Sequence, residues 1–221
     1  MADKLEKLLE QGVRELKLGL PASAQPKLIH YLHLLNKWNK AFNLSGVTSV
    51  TDMLAWHLLD SLAVMPHIQG KRVLDIGSGA GLPGIPLAIA MPDTQFVLLD
   101  SNGKKTRFLF QAKLALELDN VEIVNDRVDA YLQSEVSGSF SLVTCRAFAT
   151  LADCVKLLTQ TLEQGTPLLA MKGVEPLEEI AELPNTVEVS EIIKLDVPRI
   201  ESQRHLVLVT PKENIRTQSN E

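Results

Sequence analysis

The sequence feature that most constrains this chain is a glycine-rich segment that directly follows a short apolar run. Residues 73–76 (VLDI) have the length and composition of a buried strand, and glycines follow at Gly77, Gly79 and Gly81. Glycine adopts backbone dihedral angles that other residues resist, and it lets a ligand approach the backbone closely. Such a turn between a strand and a helix is typical of the nucleotide-binding turn of a doubly wound α/β sheet.

The rest of the chain after residue 70 repeats this alternation of strand and helix. Further strands are predicted at 96–100, 121–124, 140–145 and 167–171, and helices at 104–118 and 151–162. Strands that alternate with helices form a mostly parallel sheet with helices on both faces. Two last apolar runs, 187–197 and 205–210, have no convincing helix between them, which predicts an antiparallel hairpin at the end of the sheet.

The first 69 residues follow a helical pattern instead. Apolar residues recur at helical spacing there, and a third helix is predicted over 50–64 with Thr51 or Asp52 as its cap. The sequence therefore predicts an N-terminal helical extension on a Rossmann-like α/β domain. The predicted divisions are a helical extension (1–69), a Rossmann-like domain (70–212) and a polar tail (213–221).

Composition limits the kind of partner that the chain can bind. The 221 residues are 45% hydrophobic and 22% charged, as expected for a globular protein. Lysine and arginine number 22 against 27 acidic residues, so the net charge is −5. A free-standing nucleic-acid-binding domain usually has a pI above ~9, so a polyanionic partner here requires a local basic patch.

The cellular location is predicted from three observations. The first nine residues are charged and lack the apolar core of a signal peptide. No window reaches the ~18–20 apolar residues of a membrane helix. Two cysteines, Cys145 and Cys154, are too few for a disulfide scaffold or a structural zinc site. We therefore expect a cytoplasmic protein with free thiols, no membrane contact and no metal.

The acid at the end of the second strand indicates which ligand the turn binds. Asp100 lies 23 positions after Gly77, near the ~20 expected for a ribose-binding acid. Leu82 stands where a dinucleotide fingerprint requires glycine. The geometry suits the adenosine of NAD or S-adenosylmethionine, and Asp75 with the clustered glycines is similar to the first motif of class I S-adenosylmethionine-dependent methyltransferases. The remaining alternative is a tight turn without a ligand.

The residues at the end of the fourth strand indicate the methyl acceptor. The Asn/Asp-Pro-Pro-aromatic motif of exocyclic-amine methyltransferases is absent there, and neither cysteine comes after a proline as in cytosine C5 enzymes. An acceptor that is already nucleophilic remains, such as guanine N7, whose lone pair requires no base. Arg146 and Lys172 stand at the ends of inner strands and are the candidate catalytic residues.

Several other polar side chains have two interpretations. Lys104 and Lys105 begin a helix and either bind RNA or form a solvated helix face, and Arg204 either binds RNA or belongs to a hairpin turn. His57 and Asp60 share a helix face and form an acid–base or metal pair or, as we favour, a structural contact onto the sheet domain. Two tryptophans, Trp38 and Trp56, are expected in the core.

Several segments that run in order over about residues 30–210 resemble the RsmG/GidB family of bacterial 16S rRNA guanine-N7 methyltransferases. The most specific is 75–86 (DIGSGAGLPGIP). The other matching segments are 38–44 (WNKAFNL), 57–61 (HLLDS), 99–105 (LDSNGKK), 146–148 (RAF), 172–173 (KG) and 204–207 (RHLV).

The resemblance implies roles for individual residues. Gly77 and Leu82 would contact S-adenosylmethionine, Val128 and Asp129 would hold the adenine edge, and Arg146 would border the methyl donor. A basic rim of Arg127, Arg146, Lys172 and Arg204 would bind RNA. The family acts on a guanine in the 530 loop of 16S rRNA.

The preferred hypothesis is therefore a class I methyltransferase that modifies guanine N7 of 16S rRNA in the 30S subunit. The partner is expected to be RNA and not DNA, and the protein a monomer. Two other hypotheses are a nicotinamide-dependent oxidoreductase, against which Leu82 counts, and a cofactor-binding module without chemistry.

Overall fold

The computed structural model describes residues 2–134 and 139–212, so the predicted tail (213–221) lies outside the described residues. Within that part of the chain, seven strands form one sheet. They are β1 (Arg72–Ile76), β2 (Gln95–Leu99), β3 (Val121–Val124), β4 (Leu142–Arg146), β5 (Leu168–Lys172), β6 (Val187–Lys194) and β7 (His205–Pro211).

The strand order is β3-β2-β1-β4-β5-β7-β6. The first five strands are parallel, with Ile76 of β1 opposite Leu99 of β2 on one side and Cys145 of β4 on the other. β7 runs antiparallel to both β5 and β6. The predicted fold class, a mostly parallel Rossmann-like sheet that ends in an antiparallel hairpin, is confirmed.

Helices cover both faces of this sheet. The helices are α1 (Ala2–Glu15), α2 (Ala24–Phe42), α3 (Val50–Met53), a π-helix (Leu54–Leu59), α4 (Asp60–Leu62), a 3₁₀ turn (Met65–His67), α5 (Gly84–Ala90), α6 (Gly103–Leu116), α7 (Val128–Gln133), α8 (Leu151–Leu157), α9 (Thr159–Glu163) and α10 (Leu177–Ala181).

Alternation along the strands divides the interior into two apolar cores. In β1, Val73 packs with the leucines of the N-terminal helices and with α5 and α6. Leu74 and Ile76 point to the other face and pack with Leu151 and Val155 of α8. The N-terminal helices therefore share one continuous core with the first face of the sheet, which fixes them beside the carboxyl ends of the strands.

The structure corrects several local predictions. The third helix is capped by Ser49, whose hydroxyl accepts the Asp52 amide hydrogen, and not by Thr51 or Asp52. Its middle, over 54–59, is π-helical. The helix predicted over 151–162 is interrupted at Leu158, where the backbone leaves the α region. The short helices α7 and α10 are too brief for the helical period to reveal them.

In the part of the chain that the structure describes, no helix is both long enough and apolar enough to cross a membrane. The same residues contain no cluster of three or more histidine, cysteine or acidic side chains suited to a metal ion. Cys145 and Cys154 are both free and buried.

Candidate active site

Two clefts open at the carboxyl edge of the parallel strands, on either side of β4. The glycine-turn cleft has a volume of about 340 Å³ and is lined by Gly77, Asp100, Lys105, Arg127, Val128, Asp129, Ala147 and Phe148, among others. The arginine cleft has a volume of about 370 Å³ and is lined by Trp56, His57, Asp60, Arg146, Ala147, Lys172 and Arg204, among others. Ala147 borders both clefts. A crevice of this kind forms where the helices that follow two adjacent parallel strands lie on opposite faces of the sheet. Ligands of open α/β sheets bind in such a crevice.

The glycine turn closes the floor of the first cleft. Gly77 has a φ of +65°, and a Cβ atom built there would collide with the Phe148 ring. The Gly77 amide donates to the Leu99 carbonyl oxygen at 2.8 Å, which binds the turn to β2. Only glycine therefore provides both the backbone conformation and the space at this position.

Asp100 fixes the turn from the neighbouring strand. Its Oδ2 accepts the Gly79 amide hydrogen at 2.9 Å, and its Oδ1 accepts the Asn102 amide hydrogen at 2.8 Å. Lys105 Nζ lies 3.7 Å from Oδ2. Each carboxylate oxygen keeps a second lone pair, so Asp100 can position the turn and still accept hydrogen bonds from a ligand in the cleft.

The other residues predicted to bind a cofactor divide into two groups. Val128 and Asp129 line the glycine-turn cleft, and the exposed Asp129 carboxylate pairs with Arg127 at 3.1 Å. Hydrogen bonding to Arg127 lowers the pKa of Asp129. Gly81 and Leu82 are buried behind the turn and pack in the core. Gly81 and Leu82 therefore support the wall of the glycine-turn cleft from behind but do not line the cleft.

Asp75 lies beneath the turn as a fully buried carboxyl group. Its Oδ2 accepts the Gly84 amide hydrogen at 3.0 Å, whereas Oδ1 has no hydrogen-bond partner in the described part of the chain. Burial raises the pKa of Asp75 to about 7, although the Gly84 hydrogen bond opposes the shift. Tyr31 of α2 joins the N-terminal helices to the same turn, because its hydroxyl donates to the Ala80 carbonyl oxygen at 2.6 Å.

One carboxylate organises the arginine cleft. Asp60, at the start of α4, has a side chain that is only 4% exposed. Its Oδ2 accepts a hydrogen bond from Arg146 at 2.9 Å, and its Oδ1 accepts one from Arg204 Nε at 3.0 Å. The helical extension therefore holds an arginine from the end of β4 and an arginine that precedes β7.

An aromatic side chain forms one wall of this cleft. Trp56 is 37% exposed, and the Arg204 guanidinium lies 4.6 Å from its ring centroid. The expectation that Trp56 lies in the core is therefore wrong, because the π-helical segment turns it toward the cleft. Trp38 is half-buried and packs against the core, as expected.

His57 is buried beside the same arginine. Its Nε2 lies 2.7 Å from the Ser45 hydroxyl, and its Nδ1 lies 3.4 Å from an Arg146 nitrogen. Burial and, second, the Arg146 charge lower the pKa of His57 to about 4. The imidazole is therefore neutral at pH 7 and does not act as an acid there.

The remaining predicted basic residues lie around the two clefts. Lys172 lines the arginine cleft, where it pairs with Glu179 at 2.6 Å and donates to the Ala149 carbonyl oxygen. Lys105 lines the glycine-turn cleft, and Lys104 is exposed beside it. The structure thus brings Arg146, Lys172 and Arg204 together in one cleft and Lys105 and Arg127 in the other.

Comparison with known proteins gives the family. The sequence model of the GidB family, described as "rRNA small subunit methyltransferase G", matches residues 24–207. The chain belongs to the GidB family. Relatives named ribosomal RNA small subunit methyltransferase G include one from Laribacter hongkongensis (47% identical; 92% of this chain and 97% of the relative). Another is from Enterobacter sp. strain 638 (44% identical; 96% and 99%).

Solved structures agree with the fold of this GidB-family chain. Cofactor-bound Rv0187 from MTB superposes with a TM-score of 0.57 at 19% identity, over 86% of this chain and 91% of the other. TrmK of M. capricolum, in complex with S-adenosylhomocysteine, superposes with a TM-score of 0.53 at 10% identity, over 69% and 67%. Identities this low support the shared fold alone.

Sequence reasoning missed several residues of the GidB-family site. Phe148, which closes against Gly77, and Glu179, which pairs with Lys172, were not singled out. Trp56 was assigned to the core. The signal for Phe148 was its place in the segment 146–148 (RAF) that resembles the family, and Glu179 gave none, because its partner depends on how α10 packs.

Proposed function

We propose that this GidB-family protein transfers a methyl group from S-adenosylmethionine to N7 of a guanine in 16S rRNA. The observation that carries the proposal is that two clefts, one built by a glycine turn and one by arginines, meet at Ala147. A methyl transfer requires donor and acceptor in contact and aligned. Two sites that share Ala147 would hold donor and acceptor side by side.

The residues of the glycine-turn cleft fit S-adenosylmethionine. Its volume, about 340 Å³, lies within the ~300–1,000 Å³ of small-molecule sites. Asp100 would accept the ribose hydroxyls with its free lone pairs, and Val128 and Asp129 would border the adenine. Gly77 lets the ligand approach the turn, and Gly79, Gly81 and Leu82 would hold the turn in shape. When bound, the cofactor supplies an electrophilic methyl group.

The arginine cleft would receive the target guanine. The base would stack on Trp56, which is 37% exposed, and base stacking on an aromatic side chain contributes about 1–3 kcal/mol. Arg146 and Lys172 line this cleft and would donate to the O6 edge of the purine, and Arg146 would also border the methyl donor at Ala147. A guanine outside a helix is accessible to such a cleft, as in other RNA-binding proteins.

The chemistry at N7 requires no proton transfer. N7 carries a lone pair and no hydrogen, so the protein need only orient the base, exclude water and balance charge. His57 is neutral at pH 7, because its pKa is about 4, and it cannot compete as a proton donor to N7. The Asp60 carboxylate offsets the two arginines beside a base that becomes cationic when it is methylated.

The remaining expectations belong to the same proposal. RNA would meet Arg127, Lys172, Arg204, Lys104 and Lys105 around the two openings. The substrate is the 30S subunit or its 16S rRNA, in the 530 loop. We expect a cytoplasmic monomer.

The test is methyl transfer from labelled S-adenosylmethionine to unmethylated 30S subunits and 16S rRNA, followed by digestion and analysis of the labelled nucleoside. We expect label in 7-methylguanosine from the 530 loop. Arg146→Ala should lose this activity, whereas Arg14→Ala, which changes an exposed arginine of α1, should retain it. If folded wild-type protein binds the cofactor but labels no guanine N7, the proposal is wrong.

A further inference from the structure

The two longest helices near the clefts are entirely free of acidic residues. α2 has 19 residues, with three lysines and no aspartate or glutamate. α6 has 14 residues, with three lysines, one arginine and no acid. In contrast, α1 carries Glu6, Glu10 and Glu15 in 14 residues. In a chain of net charge −5, two cationic helices form a local exception.

These two helices pack side by side, and an aromatic group joins them. The Trp38 ring lies 5.7 Å from Phe108 of α6 and 5.1 Å from Phe42 in the last turn of α2. Phe42 is 47% exposed. Lys104 lies one helical turn before Phe108 on α6, and Arg107 lies one turn after Lys104, so both are set beside this aromatic group; both are exposed. We call the surface formed by Phe42, Lys104 and Arg107 the α2–α6 face.

The cations of this face differ from those inside the clefts. Arg146, Arg204 and Lys172 are held by Asp60 and Glu179. Within residues 2–134 and 139–212, no salt bridge engages Lys104 or Arg107, and both are exposed. Cations without a carboxylate partner are free to neutralise phosphates.

The α2–α6 face also continues into both clefts. α6 begins at the end of β2, and its Lys105 lines the glycine-turn cleft. α2 ends at Phe42, and the next loop reaches Val47, which lines the arginine cleft. Asn39 holds that loop, because its amide donates to the Val47 carbonyl oxygen at 2.9 Å and its Oδ1 accepts the Ser45 amide hydrogen at 2.7 Å.

We infer that the α2–α6 face binds a single-stranded RNA segment that flanks the target nucleotide. An unpaired base stacks on Phe42, and neighbouring phosphates contact Lys104 and Arg107. An exposed aromatic ring among unpaired cations is the chemistry that recognises single-stranded nucleic acid. The inference rests on the proposed RNA substrate and extends its footprint onto the N-terminal helices.

The ionic part is tested by the salt dependence of binding to unmethylated 16S rRNA. The double variant Lys104→Ala/Arg107→Ala should reduce the slope of log K against log salt by roughly 0.7–0.9 per lost phosphate contact. The control Lys4→Ala/Lys156→Ala removes two exposed cations from α1 and α8 and should keep the wild-type slope. S-adenosylmethionine affinity and thermal unfolding should stay unchanged in both.

The stacking part is tested separately. Phe42→Ala should weaken RNA binding about five-fold or more without changing the salt slope, because stacking releases no counterions. The control is Phe110→Ala, which removes a ring that is 48% exposed on the other flank of α6. If Phe42→Ala weakens RNA binding no more than Phe110→Ala does, the inference is overturned. It is also overturned if the double variant has the same salt slope as its control.

The outcomes also separate this inference from the proposed function. RNA binding through the α2–α6 face with no 7-methylguanosine product overturns the proposed function alone. If the wild type methylates guanine N7 normally and the variants of the α2–α6 face bind RNA as their controls do, the inference alone is overturned. Loss of binding to phosphatidylglycerol vesicles in the double variant, with RNA binding intact, assigns the face to an anionic membrane surface and overturns the inference.

Discussion

Replacement of Asp60 by asparagine separates the charge of the arginine cleft from its shape. The carboxylate is 4% exposed and binds Arg146 at 2.9 Å and Arg204 at 3.0 Å. Removing one partner of a buried ion pair costs about 3–5 kcal/mol, because the other charge stays buried without compensation. Asparagine keeps one acceptor oxygen, so we expect Asp60→Asn to lower the free energy of unfolding by about 3 kcal/mol, the lower end of that range.

The assay is urea unfolding followed by tryptophan fluorescence, since Trp56 stacks on Arg204 and reports directly on the cleft. The control is Glu10→Gln, which breaks an exposed pair of similar length, Arg14–Glu10 at 2.7 Å. Exposed helical pairs contribute only about 0.3–0.5 kcal/mol. If Asp60→Asn is no more destabilising than Glu10→Gln, the carboxylate does not organise the cleft and the reasoning fails.

The same variant has a kinetic consequence. An arginine displaced by about 1 Å can reduce turnover about 100-fold through misalignment of the reacting groups. Because Asp60 does not line the glycine-turn cleft, and Arg146 would border the donor only at Ala147, S-adenosylmethionine affinity should fall far less than turnover. Equal losses of turnover and cofactor affinity would indicate general unfolding and not a positioning role.

Three other substitutions test the turn. Asp100→Ala should weaken S-adenosylmethionine binding about 10- to 100-fold in calorimetry, since a charge-assisted hydrogen bond is lost, and unchanged affinity would contradict the ribose assignment. Gly77→Ala should lower the melting temperature, whereas Gly46→Ala, where a Cβ meets nothing within 4 Å, should not. The pKa of Asp75 is raised to about 7, so its contribution to stability falls as pH rises from 3.8 toward 7. In urea titrations between pH 5 and 8, the free energy of unfolding of the wild type should fall by about 2–3 kcal/mol more than that of Asp75→Asn. If the free energies of unfolding of the two proteins change in parallel with pH, this expectation is refuted.

Local pattern was sufficient to predict the sheet. Each inner strand is a short apolar run, and β3 occupies the predicted 121–124. The turn was predictable too, because glycine adopts the left-handed backbone found at Gly77 and Gly81 without the steric cost that other residues meet. These features depend on residues within a few positions of one another, which is the distance over which periodicity carries information.

The partners of Asp60 could not be predicted in this way. Arg146 is 86 residues away and Arg204 is 144 residues away, so their contact exists only after β4 and β7 have joined the sheet. The orientation of Trp56 depends on a π-helical segment, which no hydrophobic period distinguishes from an α-helix. The sequence indicated Asp60, Arg146 and Arg204 as individual candidates, but it did not indicate that the carboxylate binds both arginines.

The acidic net charge of −5 and the proposed RNA substrate are compatible because the cations have two separate roles. Inside the arginine cleft, Asp60 offsets one of the two positive charges of Arg146 and Arg204 and holds both side chains in place, so they contribute geometry more than long-range attraction. On the α2–α6 face the charges are uncompensated and attract phosphate at a distance. Raising the salt concentration should therefore weaken the capture of RNA while the rate of methyl transfer from the saturated complex stays nearly constant, because buried pairs are screened far less than exposed charges.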